Sequence, residues 1–216
     1  MKQRLLFLFA FFSLVSCEEA VPKIKVIDFD KHKLRAIHGG ITVKRAEAHS
    51  KKMRALVLKS TEGFAIPNVL LKNKLETNLD LYSLTHERKS ILLFSSTSCG
   101  ACSIAYFENF PFIIDSLKRQ KIKYNIIPIV VSNERDSEQP DRFKKHLSRF
   151  QKFYPEVYVL EDSLSKKFNI YGFPLQLFID EKGVVKDYQL GASFDGYQKK
   201  MKKVFSFFST ASDVNN

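Results

Sequence analysis

Three cysteines occur in the 216-residue chain, and two of them form the motif Cys99-Gly100-Ala101-Cys102. The motif follows an apolar run, Ile91–Phe94, and a small polar link, Ser95–Ser98, and it opens a helical stretch. At a helix start, unpaired backbone N–H groups and the macrodipole favour an anion, so the Cys99 thiol is expected to ionise below about 8.5. Two intervening residues let one helical turn bring the sulfurs within disulfide reach. Cys102 then lies a turn inside the helix, more buried. That arrangement divides the labour that thiol–disulfide exchange needs, with an exposed attacking thiolate and an internal thiol that releases the mixed disulfide. The same spacing also serves as half a tetrahedral zinc site, or as a static structural disulfide. The remaining candidate ligands, His32, His38, His49, His86 and His146, have no ligand-like spacing to one another or to the cysteines, so no metal is expected.

A second feature is Tyr171-Gly172-Phe173-Pro174, just ahead of the β-rich run Leu175–Ile179. The proline restricts Phe173 to an extended conformation and suits a cis peptide in a tight turn. Such a turn would offer the backbone of residue 173 as a short edge for an extended substrate. An ordinary trans proline opening a strand is the other reading.

The elements that must position these groups follow from periodicity. Residues 18–62 read as an extra β-hairpin layer or a tether, with Lys23–Phe29 alternating like a strand and Leu56-Val57-Leu58 as another short one. Ala65–Leu71 and Leu79–Leu84 read as a strand pair around a polar turn. Ile91–Phe94 has the pattern of a buried central strand. The helical stretch that Cys99 opens is expected to break or kink at Pro111 and end near Gln120. Ile122–Val131 is a further β-run, in which Pro128 is awkward for a central strand. Pro140–Phe153 is helical, Val157–Leu160 is a strand and Asp162–Phe168 a short helix. Leu175–Asp180 and Val184–Leu190 form a hairpin around Glu181-Lys182-Gly183. Phe194, Tyr197, Met201, Val204, Phe205 and Phe208 line one face of a last helix, as core. The order β-β-β-α-β-α-β-α-β-β-α implies a mixed sheet covered by helices on both faces.

The N-terminus reads as an address. Met1–Arg4 is basic, and Leu5–Val15 is apolar apart from Ser13. As a helix that stretch would span about 16 Å, too short for about 30 Å of hydrocarbon, so it fits the h-region of a secretory signal peptide. Leu14-Val15-Ser16-Cys17 resembles the lipobox of bacterial lipoproteins, which implies acylation of Cys17 and a lipid anchor after removal of residues 1–16. Acylation also accounts for the cysteine left over from the pair. The formal charge of +12 reads as a Lys-rich solvated surface, suited to lie near anionic lipid head groups. No spacing of an RNA-binding or zinc-finger motif supports nucleic acid as a partner.

From Gly63 to Phe208 the chain resembles the thioredoxin superfamily, and within it the TlpA/ResA-like branch of anchored extracytoplasmic thiol–disulfide oxidoreductases. GFAIPNVLL with LDLYSL resembles the branch's N-terminal hairpin, ILLFSSTSCGAC its active-site strand and helix start, and VYVLEDSLSKKFNIYGFPLQLFIDEKGVV its approach to the cis-proline. The resemblance implies an α/β thioredoxin-like fold: a central mixed β-sheet with helices on both faces and an N-terminal β-hairpin extension. It implies Cys99 as nucleophile, Cys102 as resolving thiol, Phe173 and Pro174 as substrate-binding residues, and Ser98, Gly100 and Ala101 as the active-site loop. The redox-active Cys99–Cys102 disulfide would be the only redox group, with no separate cofactor. The domain plan is a signal peptide over 1–16, an extension or tether over 17–62, the thioredoxin-like domain over 63–210 and a tail over 211–216. The chain departs from the family pattern at Ser98 (usually Trp), Ala101 (commonly Pro), Leu93 (often a buried carboxylate) and Phe107 (usually the helix proline, here delayed to Pro111).

The activity implied is exchange with protein thiols or disulfides on the periplasmic side of a bacterial envelope, surface exposure being the other lipoprotein location. The reducing direction is favoured because no His lies between the cysteines, and a membrane electron donor would regenerate the dithiol. Two rivals stand beside it. One is a peroxiredoxin-like peroxidase, for which Thr97 is suitably near but the usual upstream proline is missing. The other is a non-catalytic thioredoxin-like binding module.

Overall fold

The run Ser90–Ser95 is buried at every position, which only a strand covered on both faces can be. It is an interior strand of the sheet in a computed structural model that describes residues 21–32, 42–191 and 197–209. Cys17, the signal segment, Phe194 and the tail 211–216 lie outside the described residues. The strands are β1 (Leu70–Lys72), β2 (Asn78–Asp80), β3 (Ser90–Ser95), β4 (Ile126–Ser132), β5 (Tyr158–Glu161), β6 (Leu175–Ile179) and β7 (Val185–Leu190). The helices are α1 (Val43–Thr61), α2 (Leu81–Thr85), α3 (Gly100–Ser103), α4 (Phe110–Arg119), α5 (Glu134–Glu138), α6 (Pro140–Gln151), α7 (Asp162–Ser165) and α8 (Tyr197–Ser209).

The seven strands pair in the order β2-β1-β5-β4-β3-β6-β7. Strands β3, β4 and β5 are mutually parallel, while β6 and β7 at one side and β1 and β2 at the other run antiparallel to their neighbours. The β1–β2 hairpin is the N-terminal extension expected from the sequence, and the whole is a thioredoxin-like α/β fold with a mixed central sheet.

Alternation along β3 divides the interior into two cores. Leu92 and Phe94 join Val57, Phe168, Leu175 and Leu177 on the face covered by α1 and α7. Ile91 and Leu93 join Cys102, Tyr106, Phe110, Phe150 and Val204 on the face covered by α3, α4, α6 and α8. Of the expected stripe in α8, Val204 is buried and Met201, Phe205 and Phe208 pack against the core, as expected, while Phe194 and the Tyr197 side chain lie outside what is described.

Several expected strands are not strands. Leu56-Val57-Leu58 lies within the 19-residue α1, whose N-cap Thr42 accepts from the Arg45 N–H at 3.3 Å. Only Met53, Val57 and Thr61 of that helix are buried, so its apolar stripe is too narrow for its period to stand out among basic residues. Lys23–Phe29 forms a single bridge, Lys23 to Ala65, before a 3₁₀ turn at Phe29–His32. Among the described residues of this stretch, 21–32 and 42–62, no hairpin forms. Ala65 forms only isolated bridges, and regular pairing starts at Leu70. The expected strand Leu79–Leu84 ends at Asp80, whose side chain caps α2 by accepting from the Tyr82 N–H at 3.2 Å. Pro128 does sit in a central strand: it pairs with Leu93, and the β4–β5 ladder starts one residue later, at Ile129. The helix Cys99 opens is not broken at Pro111: it runs through a π-helical turn, Ile104–Asn109, just before that proline. Pro111 has no N–H to give the carbonyl of Phe107, and the Phe110 N–H reaches instead to Ala105, five residues back. Among the described residues no helix is long and apolar enough to cross a membrane.

Candidate functional site

Strand β3 delivers the cysteines to the end of the sheet where β6 begins, because Phe94 pairs with Leu175 in antiparallel register. The chain leaves β3 at Ser95, turns through Ser96–Ser98 and enters α3, while Pro174 lies immediately before Leu175. The cysteine motif and the proline turn therefore emerge side by side. The turn before the motif is held locally: the Cys99 N–H donates to the Ser96 carbonyl at 3.0 Å, and the Ser96 and Ser98 hydroxyls are 2.9 Å apart.

Cys99 is the N-cap of α3, and its sulfur accepts from the Cys102 N–H at 3.0 Å. A donor aimed at that sulfur favours its thiolate once the pair is reduced. Cys99 and Cys102 are joined as a disulfide with Cα atoms 5.3 Å apart. Cys102 is fully buried, whereas Cys99 is half-buried. Ser98 and Gly100 are exposed and Ala101 is half-buried, and a side chain added at Gly100 would meet nothing within 4 Å. The peptide Phe173–Pro174 is cis. Phe173 is half-buried against both cores, and the Pro174 carbonyl accepts from the Gly191 N–H at 2.8 Å. Cys17 alone of the expected site residues falls outside the described residues.

Around the motif stand Tyr106 and Asp136, which the sequence did not mark, and Thr97 and His146, which it offered only for peroxidase chemistry and as a scattered candidate metal ligand. Tyr106, one turn after Cys102, donates its hydroxyl to the carbonyls of Leu175 at 2.7 Å and Phe94 at 3.1 Å. It thus ties the end of the cysteine strand to the start of the proline strand. Burial raises its hydroxyl pKa well above the ordinary value and keeps it a donor. Its spacing from Cys102 was the available signal, since residues four apart share a helix face. On the other flank Thr97 donates to the buried Asp136 carboxylate at 2.6 Å, and the Arg142 guanidinium reaches the Thr97 carbonyl at 3.2 Å. These residues, with Ser98, Asn133, Gln139 and Asp162, line a polar cleft of about 480 Å³ beside the motif. Beneath it, His146 meets the Ser95 hydroxyl at 3.3 Å, and desolvation, assisted by Arg149, lowers its pKa to about 4. Nothing in the local sequence around Asp136 or His146 marks them, because their roles arise from contacts between segments far apart in the chain. Among the described residues no group of three or more His, Cys, Asp or Glu side chains is placed to hold a metal ion.

The chain's sequence matches no family model and no curated protein. Its fold is similar to solved structures. A thiol:disulfide interchange protein from Bacteroides sp. shares 13% identity over 69% of this chain and 91% of that one, with a TM-score of 0.52. Arabidopsis thaliana ScoI, solved with copper bound, shares 14% over 66% and 97%, with a TM-score of 0.51. A thioredoxin-like protein from Porphyromonas gingivalis shares 18% over 66% and 91%, with a TM-score of 0.50. At such identities the likeness is one of architecture, and with the geometry above it shows a thioredoxin-like fold that carries a CxxC disulfide at the start of a helix.

Proposed function

We propose that this chain is a thiol–disulfide oxidoreductase of the TlpA/ResA-like kind, acting as a reductase on protein disulfides outside the cytoplasm. The observation that carries the reading is the asymmetry of the cysteine pair. Cys99 is accessible and receives the Cys102 N–H on its sulfur, while Cys102 is sealed behind it.

In the reduced protein the Cys99 thiolate attacks one sulfur of a partner's disulfide. A mixed disulfide forms, and the partner's other sulfur leaves as a thiolate and takes a proton. Cys102 then gives up its proton and attacks the Cys99 sulfur, releasing the partner's second thiol. The partner has gained two electrons and two protons, and the Cys99–Cys102 disulfide has formed. A membrane dithiol donor restores it by the reverse exchange. The backbone at half-buried Phe173, beside Pro174, is the edge along which an extended partner segment lies, and Ser98, Gly100 and Ala101 form the loop it meets. The partner is a protein, not nucleic acid. Residues 63–210 are the catalytic domain and residues 17–62 the extension that joins it to an acylated Cys17, on the periplasmic side of the envelope.

Two assays test this. Wild-type protein should accelerate insulin reduction by dithiothreitol, and Cys99→Ala should not. Cys102→Ser should accumulate mixed disulfides through Cys99, which mass spectrometry after diagonal electrophoresis would identify. Equal insulin reduction by wild type and Cys99→Ala would refute the assignment of Cys99.

A further inference from the structure

Helix α1 carries six basic residues, Lys44, Arg45, Lys51, Lys52, Arg54 and Lys59, and one acidic residue, Glu47. It buries Met53, Val57 and Thr61, at i, i+4 and i+8, against the sheet. The helical period then fixes which residues lie on the opposite side. They are Lys44, Ala48, Lys51, Lys52, Ala55 and Lys59, and all six are exposed. Four ammonium groups therefore share a face with two alanines and no carboxylate. Among the described residues none of these four lysines is in an ion pair. Several basic side chains on the other face of the sheet are instead drawn into the fold. On α6, Arg142 holds the Thr97 carbonyl and Arg149 lies over the Phe107 ring at 4.5 Å. On α8, Lys203 pairs with Asp187 and Lys200 lies over the Phe110 ring at 4.8 Å.

The chain before α1 limits how far this face can stand from an anchor. The Lys25 N–H donates to the carbonyl of Ser60, in the last turn of α1, at 3.2 Å. Cys17 precedes Lys25 by eight residues, which fully extended reach at most about 29 Å. The 19-residue helix is itself about 28 Å long. An acyl group on Cys17 thus keeps the end of α1 within about one helix length of the lipid head groups. A tether of that length leaves the domain free to roll, and charge decides which face comes to rest. Anionic head groups attract lysines that come within a Debye length, and the α1 face presents four with no carboxylate to oppose them.

We propose that the exposed lysine face of α1 docks on the anionic surface of the bilayer that holds the Cys17 anchor. The proposal rests on the anchored reading given above and not on the cysteine chemistry. Helix α1 and the group α3, α4, α6 and α8 cover opposite faces of the sheet, so docking turns the latter face towards solvent. The attraction of four lysines is too weak to hold an unanchored chain, and the face docks only where the lipid confines it.

The test uses the full chain purified from bacterial membranes and inserted through its acyl groups into preformed vesicles. One set is phosphatidylcholine alone, and the other contains about 30 mol% phosphatidylglycerol. Lysine acetylation is followed residue by residue with mass spectrometry. Lys44, Lys51, Lys52 and Lys59 should react at least threefold more slowly on the anionic vesicles, and about 0.5 M salt should abolish the difference. Lys144, Lys145 and Lys152 of α6, exposed on the other side of the molecule, should react alike on both. Equal reactivity of the α1 lysines on the two vesicles would overturn the proposal and leave the face to a soluble acidic partner. Equal protection of the α6 lysines, or protection that survives salt, would overturn it too. The mass of the Cys17 peptide separates this failure from that of the anchor: an unacylated Cys17 refutes the tether and the docking together, whereas unprotected α1 lysines on an acylated chain refute the docking alone. No variant has to fold.

Discussion

His146 is a titratable side chain whose ordinary range spans physiological pH, yet it is 8% exposed and held neutral. Desolvation is the main cause, with Arg149 and Arg142 pushing the same way and Asp136 opposing them. The sign of the stability effect follows from proton counting. The folded value of about 4 lies below the ordinary 6.5, so as pH falls from 6.5 towards 4 the unfolded chain takes up a proton that the native chain refuses. Stability should therefore drop across that window, by up to about 3 kcal/mol from this residue alone. His146→Gln keeps a polar partner for the Ser95 hydroxyl and removes the titration. Urea unfolding at pH 7 and pH 4.5 should show a clearly smaller acid loss in the variant than in wild type. An unchanged acid loss would mean that His146 is not the group responsible. The same residue lies under the Ser95 end of β3, so its neutrality also keeps a positive charge out of the core beneath the cysteine turn.

At the scale of elements, the residues ahead of the sheet are held by backbone bonds from Ile24 to Ala65 and from Lys25 to Ser60, and by the side chain of Asn169. Asn169 adopts the left-handed conformation, φ 53°, which Asn tolerates better than most residues. Its side-chain carbonyl accepts from the Ile27 N–H at 2.8 Å, and its amide donates to the Lys25 carbonyl at 3.0 Å and the Thr61 hydroxyl at 3.2 Å. Its own carbonyl accepts from the Tyr188 hydroxyl at 3.1 Å. This one buried residue thus joins the segment around Lys25–Ile27, the end of α1 and strand β7 to the approach to Pro174. Asn169→Gly keeps the backbone conformation and removes the three side-chain bonds. It is expected to cost about 1–3 kcal/mol and to speed amide exchange at Ile27 selectively. Exchange at Ile27 as slow as in wild type would show that α1 packing alone fixes the segment. The π-helical turn is the other element-scale device. It absorbs the delayed proline within the helix that starts at Cys102's own turn, and leaves Tyr106 able to bridge β3 and β6.

For the molecule as a whole, the proposed anchor makes a prediction independent of the redox chemistry. Full-length protein expressed in a bacterium should fractionate with membranes and carry a lipid-dependent mass increase at Cys17. Cys17→Ser should lose both. Recovery of the variant in the membrane fraction at the wild-type level would remove the lipid from the account. Much of the fold was legible in the sequence. Buried strands such as Ile91–Phe94 carry unbroken apolar runs, the hairpin after Leu175 carries a Gly turn, and the cysteine motif carries its own spacing. Those signals are local, and they determined the mixed sheet, its helical cover and the cysteine pair with its proline turn. What tertiary structure alone decided is whatever depends on partners distant in the chain. The sequence shows α1 as a basic, weakly patterned stretch, because it docks through only three buried residues. It shows Asp136, His146 and Asn169 as ordinary polar residues. Folding gives each a buried position and a specific partner. Periodicity records which side of an element is apolar. It carries no information about which polar atoms from other elements will meet there, and that is set only when the layers pack.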